Sequence, residues 1–170
     1  MRFYFAYGSN LWVDQMQSWC PGHIKIGRGT VCGYRWIINI HGYATIVAAA
    51  NEAVQGIVYT LTSTDEQGLD DFEEVEAGLY EKRECQVLLA DREVSCLVYI
   101  DPVTTEGWPD LEYSAQINYG LRDANLPEDY VEQTIRRFVP AMSEEHASAG
   151  KGAGHAAVNG QGGAGGGGEA

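Results

Sequence analysis

No run within the 170 residues approaches the length of apolar chain needed to cross a bilayer as a helix. The opening Met1-Arg2-Phe3-Tyr4-Phe5-Ala6 also lacks the apolar core and cleavage site of a secretory leader, and passes straight into Tyr7-Gly8-Ser9-Asn10. A cytoplasmic location is therefore expected. Basic residues are scarce: 11 Lys and Arg stand against 24 Asp and Glu, a formal net charge of -13. Such a surface repels polyanions, so neither nucleic acid nor an anionic membrane is an expected partner. A small zwitterionic or weakly anionic ligand stays compatible, because backbone N–H groups in a pocket oppose the overall field locally.

Several chemistries lack their residues. Cys20, Cys32, Cys85 and Cys96 have no C-x-x-C spacing, which argues against a zinc knuckle or a redox pair. Free thiols are expected, although Cys85 and Cys96 stand where they would face each other across a hairpin. His23, His41, His146 and His155 form no ligand-spaced cluster, so no metal site is expected. No G-x-S-x-G motif accompanies a suitable His, which removes Ser9 as a covalent nucleophile. Gly8-Ser9-Asn10 lacks the Lys and extended glycine pattern of a phosphate-binding loop. No internal repeat is visible.

What is present suffices for one domain: 45% of the chain is hydrophobic and 11% aromatic. Residues 1–140 read as that domain. Residues 141–170, rich in Ala, Gly and Ser, cannot bury enough apolar surface to offset ordering entropy, and read as a flexible tail. Residues 2–6 predict a strand, followed by a turn at Tyr7-Gly8-Ser9-Asn10 and a helix over 11–19 that Cys20-Pro21-Gly22 stops. Strands are predicted over 24–40 with a break near Gly33, over 44–48 and over 54–61. Ser63-Thr64-Asp65-Glu66 has the form of a capping box and predicts a helix to residue 75, ended by Ala77-Gly78. A hairpin over 80–89 and 94–100 turns around Ala90-Asp91-Arg92. Helices follow over 112–123 and from Pro127 to 138. This order is not the alternation of a doubly wound sheet. It predicts an α+β fold, a small mixed sheet curled into a partial barrel and flanked by helices.

Two segments carry candidate chemistry. In Phe5-Ala6-Tyr7-Gly8-Ser9-Asn10-Leu11 a strand turns into a helix through glycine, so that successive N–H groups can converge on a carboxylate or a developing oxyanion. Ser9 or Asn10 as a simple helix cap is the plainer alternative. Along the helix from residue 65, Leu69, Phe72 and Val75 mark an apolar arc. Glu73 sits at its edge and Glu76 within it. A carboxyl held against an apolar wall has its pKa raised toward the range useful for proton transfer. Periodicity does not choose between Glu73 and Glu76, and a solvated acidic face is the competing reading. Tyr80 and Tyr113 can each present a phenol to a polar pocket.

Tyr7-Gly8-Ser9-Asn10-Leu11, Gly56-Ile57-Val58-Tyr59 and Leu69-Asp70-Asp71-Phe72-Glu73-Glu74-Val75-Glu76-Ala77-Gly78-Leu79-Tyr80 together resemble the γ-glutamylcyclotransferase family. Tyr113, Gly120 and Asn125-Leu126-Pro127-Glu128-Asp129-Tyr130 extend the resemblance to the C-terminal part of the family's animal-type branch, so that it covers residues 3–138. It implies the cyclotransferase-like fold, a small barrel flanked by helices. In the family's E-x-x-x-x-G-x-Y motif the glutamate is the acid/base, which implies that role for Glu73, ahead of Gly78 and Tyr80. It further implies that Tyr7, Gly8, Ser9, Asn10 and Leu11 hold a γ-glutamyl group largely through main-chain contacts, and that Tyr113 helps to bind it. The implied reaction is cyclisation of a γ-glutamyl amide to 5-oxoproline with release of an amine or amino acid. It calls for no cofactor, and a monomer or a homodimer fits equally. Close alternatives are a γ-glutamylamine or a γ-glutamyl-protected biosynthetic intermediate as substrate; a non-catalytic γ-glutamyl-binding protein is an alternative of another class. Two departures bear on substrate choice: Glu74 stands where the family often has Gly, and Trp108-Pro109 lies in a variable loop.

Overall fold

A computed structural model describes residues 1–143. The tail expectation therefore lies almost wholly outside the described residues. Strand β1, Arg2–Ala6, is followed by a 3-10 turn, Ser9–Leu11, and helix α1, Val13–Trp19. Two long strands come next, β2 at Ile24–Ile38 and β3 at Ala44–Leu61, then helix α2 at Ser63–Phe72. The hairpin β4, Glu81–Leu89, and β5, Arg92–Ile100, precedes helix α3, Leu111–Ala124. A last helical segment starts as α4, Glu128–Tyr130, and continues as a π-helix, Val131–Ile135.

The five strands close into a barrel in the order β1-β3-β2-β4-β5. All neighbours are antiparallel except the seam, where β1 meets β5 in parallel at Tyr4 and Leu97. The sequence pattern predicts partial closure, and the parallel seam that completes the circle has no local sequence signal. Phe5, Ile57, Val58, Val87 and Leu97 are fully buried in the core so enclosed. Gly56 explains how tightly β1 and β3 approach: a Cβ there would lie 2.2 Å from the Ala6 carbonyl oxygen.

The break expected near Gly33 is a slip in the ladder rather than an end of a strand. Cys32 pairs with Ala53 and Tyr34 with Ala48, so β3 carries extra residues opposite Gly33, whose φ is +82°. Cys85 and Cys96 do pair across the β4–β5 hairpin, and all four cysteines are free thiols.

Helix α2 differs from its expected bounds at both ends. Its N-cap is Thr62, one residue before the expected Ser63. The Thr62 hydroxyl accepts from the Asp65 N–H at 3.1 Å and the Asp65 carboxylate accepts from the Thr62 N–H at 2.9 Å. Two overlapping boxes are available, and tertiary contacts select between them. Asp65 also accepts the Gly22 N–H at 3.0 Å, whereas Glu66 is taken by Arg2 and Lys82. At the other end the helix stops at Phe72, with Glu73 as its C-cap. Acidic residues at a helix C-terminus oppose the helix dipole, and no basic residue occupies the last turn. Glu74 then takes φ +50° and Gly78 φ +78°, turning the chain sharply toward β4.

Candidate active site

The strand β1 and the C-terminal end of α2 open onto one cavity of about 600 Å³. Tyr4 and the turn Tyr7, Gly8, Ser9 and Asn10 form one wall; Phe72, Glu73 and Glu74 form the opposite one. Tyr80, Tyr99 and Tyr113 contribute from the start of β4, from β5 and from α3, and Ala44 from the start of β3. The first two candidate segments of the sequence, separated by some sixty residues, thus face each other.

Glycine at position 8 is explained by space. Its φ of −115° is ordinary, but a Cβ would come within 3.2 Å of both the Ala44 Cβ and the Tyr113 hydroxyl. The Leu11 N–H donates to the Gly8 carbonyl at 3.1 Å and the Trp12 N–H to the Ser9 carbonyl at 3.0 Å. Those two donors are spent within the turn. Leu11 itself does not line the cavity. Its side chain is buried under α3, where a Cβ on Gly120 would lie 2.7 Å from the Leu11 Cβ.

Asn10 connects the two walls. Its Nδ2 donates to the Tyr4 hydroxyl at 2.9 Å and to Glu73 Oε1 at 3.2 Å, while its Oδ1 accepts from Gln15 Nε2 at 2.9 Å. The Tyr59 hydroxyl donates to the Asn10 carbonyl at 3.2 Å. The Asn10 side chain is therefore fixed on three sides.

Glu73 keeps part of its surface open to the cavity, yet its carboxyl sits away from bulk water. Burial pushes that carboxyl up to about 8, against the smaller opposing effect of the Asn10 hydrogen bond. Glu76, the other carboxylate on the expected apolar arc, is exposed on the turn beyond α2. Local periodicity does not separate the two, because the helix that would carry the arc ends before either of them.

Tyr80 and Tyr113 both reach the cavity, their hydroxyls share Ala44 as a partner, and that of Tyr113 also meets Ser9. The Tyr80 hydroxyl donates to the Ala44 carbonyl at 2.9 Å, and the Ala44 N–H donates to the Tyr113 oxygen at 3.1 Å. The Tyr7 hydroxyl donates to the Tyr99 carbonyl at 2.5 Å. Tyr7 and Tyr80 thus offer ring surface, whereas Tyr113 still has its own proton to give. Burial raises all three phenols, so they are neutral across the working range of pH.

Tyr4, Gln15, Trp19, Tyr43 and Tyr99 also belong to the wall, and no sequence signal singles them out. Tyr4 reads as an ordinary strand residue, and no rule for a seven-residue helix says that Gln15 turns inward. Trp108, in the variable loop, does not line the cavity and packs against Phe138, with ring centroids 6.1 Å apart. Asp71, Glu73 and Glu74 are the charged residues of the wall; no Lys, Arg or His is among those described.

Known proteins bear on what this geometry serves. The family model described as Gamma-glutamyl cyclotransferase, AIG2-like matches residues 4–116. The chain is 28% identical to Gamma-glutamylcyclotransferase of Mus musculus over 145 residues, covering 76% of this chain and 75% of the relative. Its identity to Gamma-glutamylcyclotransferase of Homo sapiens is 27% over 141 residues, again 76% and 75%. A solved structure of a gamma-glutamyl cyclotransferase superposes with a TM-score of 0.73 at 23% identity, over 87% of this chain and 96% of that one. The last likeness establishes the fold. The match over residues 4–116 takes in both walls of the cavity, and the chain belongs to the gamma-glutamyl cyclotransferase, AIG2-like family, with γ-glutamyl cyclotransferase-like chemistry at the level of the family.

Proposed function

We propose that the protein converts a γ-glutamyl amide to 5-oxoproline and a free amine, with Glu73 as the acid/base. The observation that carries this reading is the shared cavity in which the Asn10 amide meets the Glu73 carboxyl at 3.2 Å. The α-ammonium of a γ-glutamyl group, beside its own carboxylate, titrates above about 8, the value of a peptide α-amino group, and burial pushes Glu73 up toward it, to about 8. Proton transfer between groups brought this close costs little in either direction.

In the forward step ionised Glu73 takes a proton from the substrate's α-ammonium. The freed nitrogen attacks the γ-carbonyl carbon, closing a five-membered ring, and the carbonyl π electrons move to oxygen. Protonated Glu73 gives its proton to the leaving nitrogen, whose bond to carbon breaks as the tetrahedral species collapses. The regenerated carboxylate takes the second proton from the ring nitrogen and passes it to the amine, which departs as an ammonium and leaves the neutral lactam. The turn at residues 8–10 and the Tyr113 hydroxyl line the cavity and are assigned the glutamyl end, its carboxylate and the oxyanion. Nucleophile and electrophile belong to one molecule. Holding the folded-back conformer therefore supplies a large share of the rate, up to roughly 7–11 kcal/mol in favourable cases.

A second reading concerns the leaving group. A wall with Asp71 and Glu74 beside Glu73, without a cation among the described residues, disfavours a leaving amino acid whose carboxylate needs a partner. It favours a γ-glutamylamine whose leaving amine is neutral or carries a further positive charge. The test is to incubate the purified protein with γ-glutamyl amino acids, γ-glutamyl alkylamines, γ-glutamyl-lysine and glutathione, and to measure 5-oxoproline. Turnover supports the enzyme, and a higher kcat/KM for the amines supports the second reading. Binding of these compounds without turnover would make the protein a γ-glutamyl-binding module instead.

A further inference from the structure

Gln15 lies on α1, outside both motifs, and its side chain is buried against the turn that precedes it. Its Nε2 donates to the Ser9 hydroxyl at 2.7 Å and to the Asn10 Oδ1 at 2.9 Å. The chain of hydrogen bonds then continues through Asn10 Nδ2 to the Tyr4 hydroxyl and to Glu73. An ionised carboxylate only accepts. Asn10 must therefore turn its N–H toward Glu73, its oxygen must face the other way, and whatever meets that oxygen must donate. Gln15 meets that requirement.

We propose that Gln15 is a positioning residue for Glu73, holding the Asn10 amide in the one orientation that donates to the carboxyl. This rests on the role given to Glu73 above. With Gln15 in place, Asn10 cannot present its oxygen to Glu73, so the bond between them stabilises the carboxylate and not the acid. Without it the amide is free to rotate by half a turn and accept from protonated Glu73, which favours the form that cannot act as base.

Other ionisable groups around Glu73 leave this bond with an outsized influence. Tyr4 and Tyr7 face it from β1 and the turn that follows, Tyr99 from β5, Tyr80 from the start of β4 and Tyr113 from α3, and all have raised pKa values through burial. Cys20, at the C-cap of α1, is pushed up to about 12. Asp71 and Glu74 stand near Glu73 on its own segment and line the same cavity. No cation in the described wall helps it. Asn10, oriented by Gln15, is the charge-stabilising contact.

The test titrates Glu73 directly, by carboxyl 13C NMR with assignment through Glu73→Gln, in the wild type, Gln15→Met and Gln15→Glu. Gln15→Met keeps the shape and removes the donor. Gln15→Glu puts an acceptor against the Asn10 oxygen and forces the amide to turn. The expected result is a Glu73 titration midpoint higher by about 0.5–1 in pH for Gln15→Met, and by more for Gln15→Glu. The acid limb of kcat should move with it, kcat should fall about tenfold, and KM should change little. A Glu73 titration unchanged in folded Gln15→Met, or a loss confined to KM or thermal stability, would overturn the proposal. Because the NMR titration needs no turnover, a protein that never forms 5-oxoproline would refute the function and still decide the role of Gln15.

Discussion

The Asn10 amide donates to the Glu73 carboxyl at 3.2 Å, tying the turn after β1 to the C-cap of α2 across 63 positions of sequence. This is the contact through which two segments with little local reason to meet become one site. It also sets the balance at Glu73, since burial favours the acid and the Asn10 N–H favours the carboxylate.

The first consequence is a narrow pH optimum. The productive encounter needs ionised Glu73 and a substrate ammonium, or the equivalent with the proton already moved. As pH falls below about 8 Glu73 protonates in the free enzyme and kcat/KM declines. As pH rises past the substrate's own pKa, which lies above about 8, the value of a peptide α-amino group, the ammonium is lost and kcat/KM declines again. A bell with its acid limb near about 8 and its maximum above that is expected. In kcat the acid limb should lie lower, because the bound ammonium favours the carboxylate. A flat kcat/KM profile from about pH 6 to about 9.5 would contradict this balance.

Much of the fold can be read from the chain because its local rules are respected. Arg2–Ala6 has the expected bounds, and α3 begins at Leu111, one residue early, because Asp110 caps it by accepting from the Tyr113 N–H at 2.7 Å. What escapes is decided by contacts between distant residues. The parallel seam between Tyr4 and Leu97 closes the barrel with no sequence pattern of its own. Asp65, held by Gly22, moves the start of α2 back to Thr62. At the site, the family motif separates Glu73 from Glu76 where helical periodicity does not. Tyr4 and Gln15 carry no motif, and only the folded chain brings them beside Asn10.

Thermal stability should report the same carboxyl. Glu73 is raised from an unfolded value near 4.5 to about 8 when folded. The folded state therefore has its full stability from this group below about 4.5, and loses it as pH rises through about 8. Glu73→Gln cannot ionise and escapes the loss. Its Tm should match the wild type near pH 4.5 and exceed it at about pH 9. A tenfold difference in proton affinity between the folded and unfolded chain corresponds to about 1.4 kcal/mol, or roughly 3 °C in Tm. A constant difference in Tm across that range would contradict the burial of Glu73.

Gly56 tests the closeness of β1 and β3 behind the Tyr7 turn. An alanine methyl there would meet the Ala6 carbonyl oxygen at 2.2 Å and the Phe5 ring at 2.7 Å, and backbone cannot yield as a flexible side chain does. Gly56→Ala should cost about 3 kcal/mol or more, read as a Tm lower by about 6–12 °C or as failure to accumulate. A wild-type melting curve would refute the packing described.

Glu74 occupies a left-handed backbone position, φ +50°, a region that favours glycine. Glu74→Gly should raise stability by about 1 kcal/mol, since a non-glycine residue there costs roughly 1–2 kcal/mol, less some chain entropy. If the carboxylate at the rim favours a cationic leaving amine, the same substitution should lower the preference for charged over neutral γ-glutamylamines by about two- to fivefold. Unchanged preference would separate the strain at Glu74 from any part in selecting the amine.

The role of Glu73 is tested most directly by 5-oxoproline formation in Glu73→Gln, on the best γ-glutamyl substrate and with folding verified by the melting curve. General acid/base catalysis is worth about 10²–10⁴-fold, so kcat should fall by at least about a hundredfold while the substrate still binds. A folded Glu73→Gln protein that forms 5-oxoproline at the wild-type rate would show that the proton moves by another route.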